Sequence, residues 1–243
     1  MSRFLVRFIV AVVVVLVSVW WLGRERGGQC QFMSVDETVR LIVGDTDGYH
    51  RRFHKEDLYA RKVASVDEYC QRIVKSGCIG TFTPEERQRI VVACRDADRF
   101  FRERCGEAWF DGYKCSRMTW KIACVDGMEY ENGLPHTRGS VIFFPRRYLT
   151  VKTQAQYTRT LIHEKIHVYQ KSYPDHTKLY VAAHGFEVVG HRRGSLVRAN
   201  SDTDDFVYRV YGTGEQLFAK YKNHTPESIE DIFYADNSTQ RNE

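Results

Sequence analysis

Residues 161–168 of the chain read LIHEKIHV, and this stretch decides the fold because it places two histidines four positions apart in a predicted helix. Positions i and i+4 share a helix face, so the imidazoles of His163 and His167 can reach one metal ion. Zinc held by three protein ligands keeps a fourth position open, lowers the pKa of a bound water toward about 7 and polarises a carbonyl. Glu164 is placed to accept the proton of that water. The pattern predicts one Zn²⁺ ion, with Glu164 as the catalytic base.

The sequence on either side of this stretch predicts an α+β fold that is mainly helical. Residues 153–156, TQAQ, form a capping box that begins a helix extending to about Lys171, before Pro174. Residues 119–125 and 140–144 are apolar runs typical of strands. We therefore expect a small antiparallel sheet beside the HExxH helix. The HExxH pattern resembles zincin-like folds, which implies that an edge strand above this helix binds substrate as an added strand.

A third zinc ligand has to come from another part of the chain, and two regions offer one. Residues 226–235 predict a last helix in which Glu227 and Asp231 share a face. Glu227 could then bind the metal, and Asp231, one turn later, could accept a hydrogen bond from a ligand histidine. The acidic loop before it offers Asp202 or Asp205 instead. Both alternatives remain open from the residues alone.

HExxH followed by a helix with ExxxD resembles the gluzincins, the thermolysin-like metallopeptidases, whose ExxxD helix reads much like ESIEDIF at residues 227–233. The resemblance implies a zincin-like fold, with Glu227 as the zinc ligand and Asp231 as the partner of a histidine. The order of DGY, PHTRG, VIFFP, LIHEKIHVYQ and NSD also resembles uncharacterised metallopeptidases of large DNA viruses and protists. The spacing of Asp205 and Tyr208 is loosely similar to the aspzincin motif, but Asp202 and Arg209 replace its glycines.

The chemistry predicted from these residues is hydrolysis of a peptide or protein substrate. Such a site usually needs a donor to the tetrahedral oxyanion, and Tyr208 and Tyr211 are candidates. The alternative is a non-catalytic, metal-stabilised ectodomain that acts as a membrane interaction or binding module. Glu164, together with the lack of cysteine near the HExxH stretch, favours the enzyme.

Residues 4–22 are an apolar run with one charge, Arg7. As a helix this run is about 28 Å long, close to the hydrocarbon thickness of a bilayer. Trp20 and Trp21 stand where interfacial aromatic residues are enriched. The run predicts a single-pass transmembrane anchor with the catalytic region on the lumenal, extracellular or virion-exterior side. The alternative, a cleaved signal peptide followed by secretion, is disfavoured because no small-x-small cleavage site follows.

The net charge of +5 falls to +2 when residues 1–27, which contribute four arginines and one glutamate, are set aside. A nearly neutral body excludes nucleic acid as an expected partner. We divide the chain into an anchor with its flanks (1–27), a helical cysteine-containing region (28–118), a zincin-like catalytic region (119–236) and a polar tail (237–243). The oligomeric state is not predicted.

All seven cysteines lie between Cys30 and Cys124. The six from Cys70 to Cys124 are an even set, and their spacing matches no zinc-ribbon pattern. In an oxidising compartment we expect them to form disulfides, with Cys30 left over.

Overall fold

The computed structural model describes residues 27–103, 108–191, 196–202 and 206–235, and this part of the chain is α+β. Its α-helices are α1 (Val35–Gly44), α2 (Lys55–Ala60), α3 (Val66–Ser76), α4 (Pro84–Glu103), α5 (Gly112–Arg117), α6 (Tyr148–Val151), α7 (Gln154–Ser172) and α8 (Pro174–Ala183). Its strands are β1 (Cys30–Phe32), β2 (Ile79–Gly80), β3 (Trp120–Val125), β4 (His136–Arg138), β5 (Val141–Pro145), β6 (Phe186–His191), β7 (Phe206–Val210), β8 (Gln216–Tyr221) and β9 (Ile232–Ala235).

The first sheet has the strand order β1-β3-β5-β4, with β2 paired to the end of β3. β3 runs parallel to β1 and β5, whereas β2 and β4 are antiparallel to their neighbours. Because side chains alternate along a strand, the apolar runs of β3 and β5 bury both faces of the sheet. Ile122 and Ile142 pack on the side of α4 and α7, and Ala123 and Phe143 pack on the side of α1 and α3.

The HExxH helix, α7, begins where its capping box predicts. Thr153 accepts a hydrogen bond from the backbone N–H of Gln156, and the Gln156 side chain accepts one from the backbone N–H of Thr153. The helix ends at Ser172, and Pro174 opens α8. Leu161 and Val168 on α7 are buried in the core that it shares with α4.

The predicted fold class is wrong in its sheet. The sheet beside α7 is mixed, because β3 pairs parallel with both neighbours: with β5, and with β1, a strand too short to be recognised in the sequence. The expected substrate-binding edge strand, β5, is an inner strand, and β4 forms the edge. Among the described residues no helix is long and apolar enough to cross a membrane, and the predicted span 4–22 lies outside them.

The second sheet is an antiparallel meander in the order β6-β7-β8-β9. It replaces the helix predicted over residues 226–235, because Ile232–Ala235 pairs with Phe218–Tyr221 of β8. The preceding turn buries Ile229 against Tyr221. Strand pairing and the burial of Ile229 override the local helix propensity of this acidic segment.

The predicted disulfides are not formed among the cysteines that the structure describes. All six of these residues are free thiols, and Cys105 lies outside the described residues. Cys78 is buried in one core, and Cys115 and Cys124 are buried in the other. Burial raises the pKa of both the Cys115 and the Cys124 thiol to about 12, so they are inert core side chains.

Candidate functional site

The two histidines of the HExxH stretch converge on one point. Their Nε2 atoms are 3.0 Å apart, and their ring planes are nearly perpendicular, at 88°. Two nitrogens that bind one tetrahedral zinc ion at 2.0–2.1 Å are about 3.3 Å apart. The His163–His167 pair therefore already has nearly the separation that a shared metal ion needs, and His163 is exposed to solvent.

Gln170 fixes the tautomer of His167. Its Oε1 is 3.1 Å from Nδ1 of the imidazole, and because an amide oxygen only accepts, Nδ1 carries the proton. The lone pair is then on Nε2, which faces His163. Burial lowers the pKa of His167; the Asp202 carboxylate opposes this shift, and His163 adds to it. A neutral imidazole with its second nitrogen hydrogen-bonded is the form that binds metals.

Glu164 lies beside this pair and is buried, with 3% of its surface exposed. Its Oε2 has no hydrogen-bond partner in the described part of the chain. Burial raises the pKa of the Glu164 carboxyl to about 9; Asp202 adds to the rise, and Lys171 opposes it. A perturbed carboxyl with an unpaired oxygen, on the same helix as two converging imidazoles, is typical of a functional site.

Asp202 is held against α7 through strand β4. Its Oδ1 accepts hydrogen bonds from the backbone N–H and the hydroxyl of Thr137, at 2.7 and 2.9 Å. Lys171 donates to the same hydroxyl at 2.6 Å and to the Thr137 carbonyl at 3.1 Å. The edge groups of β4 at Thr137 are thus already occupied, so they are not available to an added substrate strand.

The described residues contain no group of three histidine, cysteine, aspartate or glutamate side chains close enough together to hold a metal ion. The structure brings together His163, Glu164 and His167, with Asp202 within electrostatic reach of the last two. Asp205 lies outside the described residues.

The predicted ligand helix contributes nothing to this arrangement, because it is not formed. Glu227 is exposed in a turn, and its backbone N–H points to Asp231 Oδ2 at 3.5 Å. Asp231 forms an ion pair with Lys222 at 2.9 Å. Glu227 as a ligand remains a prediction without the helix that was to support it.

The two predicted oxyanion donors belong to the second sheet. Tyr208 pairs with β8 in strand β7, and Tyr211 follows that strand with half of its surface exposed. The polar groups that act on Glu164 and His167 come instead from α7 itself and from the Asp202 loop.

Three residues that sequence reasoning missed shape the site. Gln170 and Lys171 are three and four positions after His167, so helical spacing could have revealed them. Tyr148 on α6 has no such spacing to reveal it. Burial raises the pKa of the Tyr148 phenol; Arg147 opposes this shift, and Glu164 adds to it, so the hydroxyl stays protonated within electrostatic reach of Glu164.

No protein family, curated protein or solved structure matches the chain in comparisons of sequence and fold.

Proposed function

We propose that this chain is a zinc-dependent hydrolase that cleaves peptide bonds, with His163, His167 and Asp202 as ligands and Glu164 as the catalytic base. One observation carries the proposal: two Nε2 atoms converge at 3.0 Å on the helix that also carries Glu164, whose buried Oε2 has no partner among the described residues. An unsatisfied buried polar atom costs about 1–3 kcal/mol. A bound group would supply that partner; because the buried Thr158 hydroxyl on the same helix also lacks one, the unpaired oxygen supports the proposal only together with the convergence of the two imidazoles.

The residues present fit a zinc ion in their chemistry, and because the described residues form no complete three-ligand group, Asp202 would have to move toward the two imidazoles to complete the site. Neutral imidazoles and a carboxylate are its usual ligands, and the ion would polarise a substrate carbonyl and lower the pKa of water. Glu164 accepts the proton of the attacking water and delivers it to the leaving amine. With its pKa raised to about 9, the Glu164 carboxyl is protonated at neutral pH in the metal-free chain; the positive charge of a bound zinc ion would lower that pKa, and Lys171 acts in the same direction, toward the ionised form that this step needs. Tyr148 is the proposed donor to the oxyanion.

Asp202 is the proposed third ligand because its charge acts on both Glu164 and His167. Only its Oδ1 is used by Thr137, and the backbone N–H of Asp202 is fixed by Asn200 at 3.0 Å. Glu227, in contrast, lies exposed in a turn.

Calorimetric zinc titration of the full chain tests the ligand set. His163→Ala and Asp202→Asn are expected to weaken zinc binding by more than about 100-fold, because each removes a ligand. Asp202→Asn keeps an oxygen for Thr137, so the loop stays in place. Glu227→Gln is the matched control and should bind zinc normally. Collapse of binding in Glu227→Gln, with near-normal binding in Asp202→Asn, would return the role to Glu227.

Peptide hydrolysis by Glu164→Gln tests the mechanism. The substitution removes the base and leaves all three ligands, so we expect normal zinc affinity and a loss of hydrolysis of at least about 100-fold. A non-catalytic, metal-stabilised module predicts a different result: zinc binds, and even the wild-type chain cleaves no peptide from a mixed library.

A further inference from the structure

A pocket lined by aromatic rings, which we call the aromatic pocket, lies between α4, α7 and α8. Its volume is about 450 Å³, within the range of small-molecule sites. Six aromatic side chains line it: Phe100, Phe101, Trp109, Phe110, Tyr169 and Tyr180. Phe101 and Tyr169 are buried and form the floor, whereas Phe100 and Tyr180 are each 38% exposed and leave the pocket open to solvent.

The pocket adjoins the candidate metal site through α7. Each residue of a helix is rotated by about 100° from the one before it. His163 and His167 therefore form one row, with Glu164 and Lys171 on one flank and Ile166 and Gln170 on the other. Ile166 and Gln170 line the pocket, and Gln170 also contacts Nδ1 of His167 at 3.1 Å. A ligand in the pocket thus lies against the same side chain that orients a proposed zinc ligand.

The lining favours an uncharged aromatic ligand. Among the described residues that line it there is no aspartate, glutamate, lysine or arginine. Two of its hydroxyl groups are used within the wall, since Tyr169 OH is 2.6 Å from His176 Nδ1 and the Thr177 hydroxyl donates to the Gln170 carbonyl at 3.2 Å. The rings already pack edge to face, with Trp109 and Tyr180 centroids 4.8 Å apart. Another ring could extend this packing, which is worth about 0.5–1.5 kcal/mol per pair beyond area burial.

We propose that the aromatic pocket is the specificity site of this chain and takes an aromatic side chain of the substrate peptide close to the cleaved bond. This inference rests on the proposed function, because only hydrolysis at His163 and His167 makes the bound peptide a substrate. The position of Gln170, between the pocket and His167, links the two sites.

Binding to the zinc-free full chain, kept free of metal by a chelator, tests the pocket separately from catalysis. Calorimetry should detect N-acetylphenylalaninamide and find N-acetylglycinamide much weaker. Tyr180→Ala opens the wall and Thr177→Phe fills the cavity, so each should weaken binding of the aromatic probe by about 10-fold. Leu179→Ala, an exposed position on α8 outside the pocket, is the matched control and should bind normally. Equal binding by all variants, or tighter binding of tetramethylammonium than of the aromatic probe, would overturn the inference.

Steady-state kinetics with the zinc-loaded chain completes the test. Tyr180→Ala should raise KM about 10-fold for peptides with phenylalanine beside the cleaved bond and leave kcat unchanged, because it removes binding shared by ground and transition states. Peptides with glycine there should not respond. An unchanged KM for the phenylalanine peptides would refute the pocket as specificity site. Probe binding without any hydrolysis would instead reject the proposed function and keep the ligand class of the pocket.

Discussion

Replacing the buried Glu131 by glutamine should destabilise the fold strongly, because the Glu131 carboxylate neutralises the positive charge of the buried Arg61. Arg61 donates to Oε1 through Nε at 3.0 Å and to Oε2 through Nη2 at 2.7 Å. Tyr69 and Tyr49 donate their hydroxyls to the same two oxygens, at 2.8 and 3.1 Å. Burial raises the pKa of Glu131, but Arg61 lowers it further, so the net pKa is well below its usual value.

The size of the effect follows from this geometry. In Glu131→Gln one oxygen becomes an NH₂ group, and either orientation of the amide points it at an N–H of Arg61, whose side chain is 2% exposed. Breaking one side of a buried pair costs about 3–5 kcal/mol. For a domain of 150–250 residues, each kcal/mol shifts Tm by about 2–4 °C, so we expect Tm to fall by roughly 6–20 °C.

Urea unfolding and thermal melts measure this loss. Glu129→Gln makes the same chemical change at an exposed position two residues away and should stay within about 0.5 kcal/mol of wild type. The double variant Arg61→Gln/Glu131→Gln should lose less than the sum of the single variants, because the two positions interact directly. A loss below about 1 kcal/mol in Glu131→Gln, with an unchanged urea m-value, would refute this account of the buried pair.

Two further predictions concern buried titratable groups. Burial and Arg138, whose Nη1 donates to Nε2 at 3.2 Å, lower the pKa of His50 to about 4, while Asp45 opposes the shift. A lowered histidine pKa contributes stability above pH 6.5 that is lost as pH falls toward 4, and for His50 the loss reaches about 3 kcal/mol. The free energy of unfolding of His50→Gln, measured in urea, should lack this part of the pH dependence. The same pH dependence in wild type and His50→Gln would contradict the prediction. Alkylation of the unfolded chain without reductant should label the described cysteines between Cys70 and Cys124 as free thiols, and reductant should leave Tm unchanged; protected pairs in the mass spectrum would restore the predicted disulfides.

The parts of the fold that sequence predicts well are those fixed by neighbouring residues. The capping box at Thr153 and the proline at position 174 bound α7 correctly, and the apolar runs of β3 and β5 identify both inner strands. Pairing between distant strands is not visible locally. Neither the three-residue β1 nor the conversion of residues 232–235 into β9 has a sequence pattern of its own, since both depend on the partner strand.

In the candidate site, too, the residues fixed by local spacing are predicted from sequence, and those placed by distant contacts are not. The i,i+4 spacing predicts that His163 and His167 converge, and their Nε2 atoms are 3.0 Å apart. Helical spacing also accounts for Gln170, although the amide was not recognised. The contribution of Asp202 is different in kind, because its position depends on a hydrogen bond to a strand 65 residues earlier. ExxxD spacing predicts a shared face only where a helix forms, and residues 227–230 form a turn.

The Asp202 loop obtains from tertiary contacts the rigidity that a helix would supply through its own hydrogen bonds. A ligand was expected on a helix because regular elements hold side chains more exactly than loops do. Here the fully buried Asp57 of α2 accepts the backbone N–H of Ala199 at 3.0 Å, Asn200 accepts that of Asp202 at 3.0 Å, and Thr137 binds the Asp202 carboxylate. Two of these contacts tie residues 199–202 to α2 and β4, and the third, between Asn200 and Asp202, is internal to this segment. These contacts hold the Asp202 carboxylate at Thr137, where the described residues do not yet form a three-ligand group, so binding of zinc by His163, His167 and Asp202 requires that carboxylate to turn from Thr137 toward the imidazoles.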